Sequence, residues 1–338
     1  SGVVEAQRMK IAVLGAGAWG TALAVNLAAR HTVCLWVRDA QQAQEMQRTR
    51  CNARYLADTQ LPESIVITPD FSVAIQAVDL CIIATPMAGL RQTSLALSKS
   101  AARDCPVLWL CKGVEVGTNR LPHQVVAEVY ADTPPACGAL SGPSFAQEVA
   151  QGLPCALTLA SHHTTFARDT AAALHGGRLR VYWSEDLTGV EIGGATKNVL
   201  AIAVGIGDGL GLGQNARAAL ITRGLVEIQR LGVAMGASPE TLMGLTGAGD
   251  LILTATGQLS RNRRVGLALA TGQPLAQVLA TLGHVAEGVA CAAAVQALAQ
   301  QYQVEMPICQ SVNAVLTGQR TPAAALDLLL ARDPRAEH

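Results

Sequence analysis

No basic run occurs in this chain of 338 residues. Its 25 Lys and Arg are balanced by 25 Asp and Glu, and the formal net charge is zero. The electrostatic footprint of a nucleic-acid-binding protein is therefore missing. An apolar stretch of membrane-spanning length is missing too. The most apolar segment, residues 199–213, contains Asp208 and repeated glycines and is too short for a bilayer; it reads as a buried helix. No secretory signal is visible. The nine cysteines are odd in number and include no Cys-x-x-Cys pair. That spacing excludes the usual zinc motifs, and several of the thiols lie in apolar runs, where they behave as small hydrophobes. The implied setting is a reducing cytoplasm without structural zinc or any other metal. His162 and His163 are adjacent but have no third ligand nearby, so a solvated loop is expected there. No internal repeat or low-complexity linker is evident. Residues 1–8 begin with Ser and precede the first strand pattern, so they are expected to be a leader outside the fold.

The length suggests two domains. Apolar runs at 11–14, 33–37, 65–68, 78–84, 107–111, 136–140, 156–160 and 179–183 are mostly bounded by turn residues and separated by helical segments. That pattern predicts a largely parallel sheet covered on both faces, with the last runs as candidate antiparallel additions. Strand signals stop after Trp183. Ser184 and Thr188 are candidate helix caps, and Thr188 with Glu191 has capping-box spacing. Ser238-Pro239 and Thr321-Pro322 have the form of helix starts. The expected organisation is an α/β domain over residues 9–185 and an all-α domain over residues 186–333.

The first strand runs directly into Gly15-Ala16-Gly17-Ala18-Trp19-Gly20 and then into a helical pattern. This strand–turn–helix unit suits a dinucleotide pyrophosphate, and it makes the α/β domain Rossmann-like. Gly15 allows the tight turn, Gly17 lets the backbone approach the phosphates, and Gly20 lets helix and strand pack closely. The helix start adds unpaired N–H groups and a positive dipole end. A second strand follows and ends at Arg38-Asp39. A guanidinium can pair with a 2′-phosphate, which favours NADP(H). The alternative is a solvated Arg38 with Asp39 on the ribose, which keeps NAD(H) possible.

Ligands of open α/β sheets bind beyond the carboxyl ends of the strands. There the chain has Thr85-Pro86, Lys112-Gly113 and Ser141-Gly142-Pro143-Ser144. In the second half, Lys197 and Asn198 lie in a very apolar helical segment after Gly193 and Gly194. A buried ammonium is costly unless paired, and burial tunes a lysine for proton transfer. Those two glycines are expected to admit the cofactor or a neighbouring helix. Asp250 follows a glycine turn. Ser260-Arg261-Asn262 opens another helix and offers a phosphate site, whereas Arg263 and Arg264 are read as exposed or interdomain. Together these residues predict a dehydrogenase acting on a phosphorylated hydroxy or keto compound, with Lys197 as proton donor and Lys112 and Asp250 orienting the reacting oxygen.

Six motifs resemble the bacterial type of NAD(P)-dependent glycerol-3-phosphate dehydrogenase. They start at Gly15 (Gly-Ala-Gly-Ala-Trp-Gly-Thr-Ala), Leu140 (Leu-Ser-Gly-Pro-Ser-Phe-Ala), Gly194 (Gly-Ala-Thr-Lys-Asn-Val), Leu245 (Leu-Thr-Gly-Ala-Gly-Asp-Leu), Ser260 (Ser-Arg-Asn-Arg) and Val285 (Val-Ala-Glu-Gly). The resemblance covers nearly the whole chain from Met9. It implies reversible reduction of dihydroxyacetone phosphate to sn-glycerol 3-phosphate, supplying glycerophospholipid synthesis. It also implies that Lys197 holds the proton-transfer position. Lys112, Gly142, Ser144, Asp250, Ser260, Arg261 and Asn262 match substrate contacts. Trp19, Arg38, Lys112, Ala146, Arg261, Val285 and Glu287 match cofactor contacts. A cytoplasmic homodimer is expected. A 6-phosphogluconate-type hydroxyacid dehydrogenase and a non-catalytic NAD(P) sensor are the rival readings.

Overall fold

The structure, a computed structural model, describes residues 7–283 and 286–331. Ten strands are present: β1 (Lys10–Leu14), β2 (Thr32–Trp36), β3 (Cys51–Asn52), β4 (Leu56–Gln60), β5 (Val66–Thr68), β6 (Leu80–Ile83), β7 (Val107–Trp109), β8 (Cys137–Ser141), β9 (Cys155–Ala160) and β10 (Leu179–Ser184). Eight form one sheet in the order β10-β9-β8-β7-β6-β1-β2-β5, and β3 pairs with β4 in a separate hairpin. The chain forms two compact units. One comprises Ser1–Lys112 and Arg120–Val190, the other Gly113–Asn119 and Glu191–His338.

In the first unit the sheet is parallel except where β8 meets β9. β9 and β10 are parallel to each other, so these two late strands run against the rest, as expected for additions. From β1 the chain moves outward to β2 and β5, then returns to place β6 on the other side of β1. The switch point, where an open sheet leaves a crevice, therefore lies between β1 and β6. Both faces are covered, which is why the strands read as continuous apolar runs. Ile11, Val13, Leu35, Ile82 and Leu108 enter one core, and Ala12, Leu14, Cys81, Ile83 and Trp109 enter the other. The β3–β4 hairpin had no sequence signal. β3 is two residues long and its Asn52 is polar, yet that side chain is fully buried. Arg8, expected outside the fold, donates to Thr32 Oγ1 at 3.3 Å.

Among its described residues the second unit has helices and no strand, and its 113–119 segment is turn and coil. Its central helix, Leu187–Gly209, is buried at every residue from 191 to 207. Against the sequence expectation that no apolar stretch reaches membrane-spanning length, this helix does so by length and composition, but its apolar window is wholly enclosed by protein. Small residues make the enclosure possible. At Gly266 an added Cβ would strike the Ile202 carbonyl of this helix. The buried segment expected over 199–213 breaks at Gly209, and a new helix starts at Gly213. The expected capping box at Thr188 and Glu191 does not form. Instead Asp186 Oδ1 accepts from Gly189 N at 2.9 Å, and Asp186 N donates to Ser184 Oγ.

One buried carboxylate had no sequence signal. Glu227 accepts from Ile308 N at 2.6 Å and from Cys309 N at 3.1 Å, at the start of helix Pro307–Leu316. Burial pushes its carboxyl up from 4.5 to about 7, against the two N–H groups that pull it down. The unfolded acid ionises near its ordinary value, while the folded one keeps its proton until about pH 7. Its contribution to stability is thus complete below that ordinary value and is lost as pH rises to the folded one. The total loss is on the order of 3 kcal/mol. Thermal melting of Glu227→Gln should show a deficit at pH 5 that narrows by pH 8. A deficit independent of pH would contradict this account.

Candidate functional site

The dinucleotide turn adopts the geometry its glycines require. Gly15 has φ +130°, and a Cβ there would lie 2.9 Å from the Ala84 carbonyl at the end of β6. At Gly20 a Cβ would strike the Gly15 carbonyl and approach Ala84 Cβ at 2.8 Å. Gly17 differs, because nothing lies within 4 Å of its Cβ position. It also caps helix Ala18–Ala28 without a side-chain hydrogen bond. The space over Gly17, at the start of that helix, is therefore open. This is the cradle that a pyrophosphate fits. Trp19 and Ala146 are half-buried and pack together against Ala22, Leu56 and Val149.

Asn52, unforeseen in the sequence, braces the turn. Its Nδ2 donates to Ala16 O and to Thr21 Oγ1, each at 2.9 Å. Its Oδ1 accepts from Gln42 Nε2 and Tyr55 N, both at 3.3 Å. Beyond β2, Arg38 is exposed. Asp39 Oδ1 is engaged as the cap of helix Ala40–Thr49, accepting from Gln41 N at 2.9 Å and Gln42 N at 3.2 Å. A cavity of about 210 Å³ beside that cap is lined by Asp39, Gln42, Glu45, Asn52 and Arg54. Arg54 had not been anticipated; its guanidinium lies over the Tyr55 ring at 5.1 Å.

Polar residues lie at or just beyond the carboxyl ends of three neighbouring strands, β6, β7 and β8, as expected. Lys112 Nζ donates to Gly142 O at 3.2 Å, and Ser144 Oγ donates to the same carbonyl at 3.1 Å. Gly142 has φ +149° and lies against Ala156 and Leu157 of β9, so a side chain is excluded there. The hydroxyls of Thr85 and Ser141 are buried without a protein partner. Two orphan donors at the carboxyl ends of β6 and β8 fit a polar ligand. Hydroxyls are common in such loops, so sequence alone had not separated these from the rest.

In the second unit Lys197, Asp250 and Thr254 form one buried cluster. Lys197 Nζ donates to Asp250 Oδ1 at 3.1 Å and to Thr254 Oγ1 at 2.9 Å. Thr254 Oγ1 in turn donates to Asp250 Oδ1 at 3.2 Å. The lysine and aspartate side chains are only 8% and 2% exposed. Asp250 follows a single π-helical turn, Leu245–Gly249, and opens helix Asp250–Thr256. Such turns often occur at functional sites. This one packs on the central helix at Gly193, where a Cβ would lie 2.8 Å from Thr246 O. Gly193 therefore admits a neighbouring helix.

A second network lies beside this cluster in sequence. Asn262 Nδ2 donates to Asn198 Oδ1 at 3.0 Å, and Asn262 Oδ1 accepts from Gly288 N at 2.9 Å. Asn262 was expected to present its side chain to a phosphate, but its carbonyl and one N–H are already used. Ser260 caps helix Arg261–Ala270, accepting from Arg263 N at 3.2 Å. Arg261 is exposed, and Asn262 is buried beside it. Lost hydration lowers the Arg261 guanidinium pKa and the Glu287 carboxylate raises it; arginine remains a cation in either case. Glu287 starts helix Glu287–Gln301, and Val285 lies outside the described residues. Arg263, expected exposed or interdomain, is instead held at 3.0 Å by Asp208, which also binds Arg217 bidentately at 2.9 Å. Arg264 is exposed. Among the described residues no group of three His, Cys, Asp or Glu side chains could hold a metal ion.

Two family models match the chain. The one for the NAD-dependent glycerol-3-phosphate dehydrogenase N-terminus covers residues 10–167, and the one for its C-terminus covers residues 186–327. A glycerol-3-phosphate dehydrogenase [NAD(P)+] from Dechloromonas aromatica is 56% identical over 329 residues, which is 97% of this chain and 99% of that protein. The crystal structure of glycerol-3-phosphate dehydrogenase from Coxiella burnetii aligns with a TM-score of 0.91 at 42% identity, covering 96% of this chain and 99% of the other. D-mandelate dehydrogenase, at 15% identity and a TM-score of 0.60 over 94% of this chain and 99% of the other, shares the fold alone.

Proposed function

The chain belongs to the NAD-dependent glycerol-3-phosphate dehydrogenase family, and we infer that it reduces dihydroxyacetone phosphate reversibly to sn-glycerol 3-phosphate, the backbone of glycerophospholipids. The observation that carries this reading is the buried Lys197 ammonium, held by Asp250 and Thr254 in a largely apolar helix. A non-catalytic NAD(P) sensor has no use for so costly a group.

NADPH or NADH, when bound, supplies the hydride. Gly15, Gly17 and Gly20 bring the turn and the start of helix Ala18–Ala28 against the pyrophosphate. Trp19, Arg38, Lys112, Ala146, Arg261, Val285 and Glu287 are the further cofactor contacts assigned here. Lys197 donates a proton to the carbonyl oxygen as the alcohol forms, and takes it back in the reverse direction. Asp250 is a positioning residue: its carboxylate aims Nζ and supplies the counter-charge, with Thr254 as the second anchor. Lys112, Gly142 and Ser144 belong to the substrate contacts. The substrate phosphate is assigned to Arg261 and to the N–H groups of Arg261 and Asn262 at their helix start, with Ser260 fixing that start. The Asn262 amide, already bonded to Asn198 and Gly288, shapes the site as much as it contacts the ligand.

The direct test follows NADPH and then NADH absorbance with dihydroxyacetone phosphate, with unphosphorylated dihydroxyacetone in parallel. Consumption with the phosphate ester alone is expected. In Arg261→Ala the KM for the ester should rise by roughly ten-fold or more while the poor unphosphorylated reaction changes little. Reduction of hydroxyacid-type substrates in preference to the ester would overturn the assignment.

NADPH is the proposed preferred cofactor. Arg38 is exposed beyond β2 and free to meet a 2′-phosphate, whereas Asp39 is committed to its helix cap. Arg38→Asp should weaken NADPH roughly ten-fold or more relative to NADH, read as dissociation constants from cofactor fluorescence. Equal losses for both cofactors would assign Arg38 a structural role instead. We also propose a cytoplasmic homodimer. All nine cysteines are free of disulfides, and Val233, Met243 and Ile252 leave apolar surface for a second copy on helices that pack together. A monomer in sedimentation at micromolar concentration would exclude the dimer.

A further inference from the structure

Two cysteines that the reaction does not use lie sulfur to sulfur. Cys81 is the second residue of β6, and Cys105 precedes β7, its neighbour in the sheet. Cys81 N donates to Pro106 O at 3.0 Å, which anchors the two segments at this point. The Cys81 thiol donates to Cys105 Sγ across 3.8 Å. Cys81 has no exposed surface, whereas Cys105 is half-buried. We propose that this pair is a reversible oxidation site, in which a peroxide oxidises Cys105 and Cys81 resolves it as a disulfide.

The two thiols are not equivalent. The hydrogen bond from Cys81 lowers the Cys105 pKa, against burial and Asp79, which raise it. Donating that bond, together with burial, pushes Cys81 up and keeps it a thiol. Cys105 is thus both the more accessible residue and the better thiolate. Its thiolate attacks hydrogen peroxide, forming an S–O bond and breaking the O–O bond; sulfenic acid and hydroxide result. Cys81 then attacks the Cys105 sulfur, the S–O bond breaks, and hydroxide leaves as water with the Cys81 proton. Overall two thiols lose two electrons and two protons, and one peroxide becomes two waters. A disulfide S–S bond is about 2.05 Å, so side-chain rotation must close the sulfur gap. Without a resolving thiol, a sulfenic acid proceeds to the irreversible sulfinic acid. The buried partner is what makes the oxidation reversible.

The pair also lies away from the machinery described above. Both residues are at the amino ends of their strands, and Thr85 and Lys112 follow the carboxyl ends. From Cys81 to Thr85 is roughly 13 Å of extended chain at about 3.3 Å per residue. The disulfide should therefore form with less than about two-fold change in cofactor affinity.

The test treats the native enzyme with a few equivalents of hydrogen peroxide, quenches it, and maps peptides by mass spectrometry without reduction. Trypsin leaves Cys105 and Cys111 on one peptide, residues 104–112, so fragment ions must separate them. Expected is a cross-link between Cys81 and Cys105 that dithiothreitol removes completely. In Cys81→Ala the Cys105 sulfur should accumulate as sulfinic acid that dithiothreitol does not reverse, while Cys105→Ser should leave Cys81 unmodified. Native protein in which Cys105 goes to sulfinic acid with Cys81 still free would overturn the proposal. So would preferential oxidation of other cysteines with this pair untouched. The native-protein arm decides the matter even if a variant folds poorly.

Discussion

Lys197→Ala is expected to lower kcat for reduction of dihydroxyacetone phosphate by about 10²–10⁴-fold, the usual worth of positioned proton transfer. NADPH affinity, measured by fluorescence without substrate, should stay close to wild type, because the dinucleotide turn belongs to the first unit. Lys197→Arg keeps the charge and is still expected to be poor. The ammonium donates to Asp250 Oδ1 and Thr254 Oγ1 in a buried site, and a planar guanidinium cannot reproduce that geometry. Thr254→Ala removes one anchor only and should fall between. A Lys197→Ala enzyme with near wild-type kcat would remove the proton-transfer role. Loss of NADPH binding in step with kcat would indicate general collapse instead.

Asp250→Ala should produce the largest loss of stability among these substitutions, about 3–5 kcal/mol. It removes the carboxylate bonded to a buried ammonium. Activity should fall with it, since Lys197 loses its orientation. The informative comparison is the double variant Lys197→Met with Asp250→Leu. Apolar residues of similar volume remove both desolvation costs, so the double variant should melt well above Asp250→Ala and near or above wild type, while remaining inactive. That result would mean the pair is kept for chemistry, at some expense in stability. A double variant as unstable as the single one would make the pair structural and undercut the role given to Asp250.

Residues 10–28 needed no tertiary information. A strand, a glycine turn and a helix follow one another within a few residues, and each glycine answers a local demand of backbone geometry or close packing. The parallel sheet was legible for a related reason, because strands buried on both faces must be apolar throughout. Ser260 and Thr321 were likewise visible as caps, since a cap and its N–H partner are three residues apart. Candidate residues such as Lys197 and Asp250 could be named singly, as charges where burial is costly. Only the folded chain joined them, across 53 positions, and only it showed Asp250 bonded to the lysine.

The same limit explains what had no sequence signal. Glu227 meets its helix start from 81 positions away, and Asn52 reaches the dinucleotide turn from a hairpin with two residues in one strand. Arg263 read as exposed or interdomain because Asp208, 55 residues earlier, gives no local sign of binding it. Cys81 read as a small hydrophobe inside an apolar run, and Cys105, outside any such run, carried no sequence signal. Patterns of neighbouring residues encode local backbone geometry and which faces are buried. Which buried polar group finds which partner depends on how distant segments pack, and that the tertiary structure alone decided.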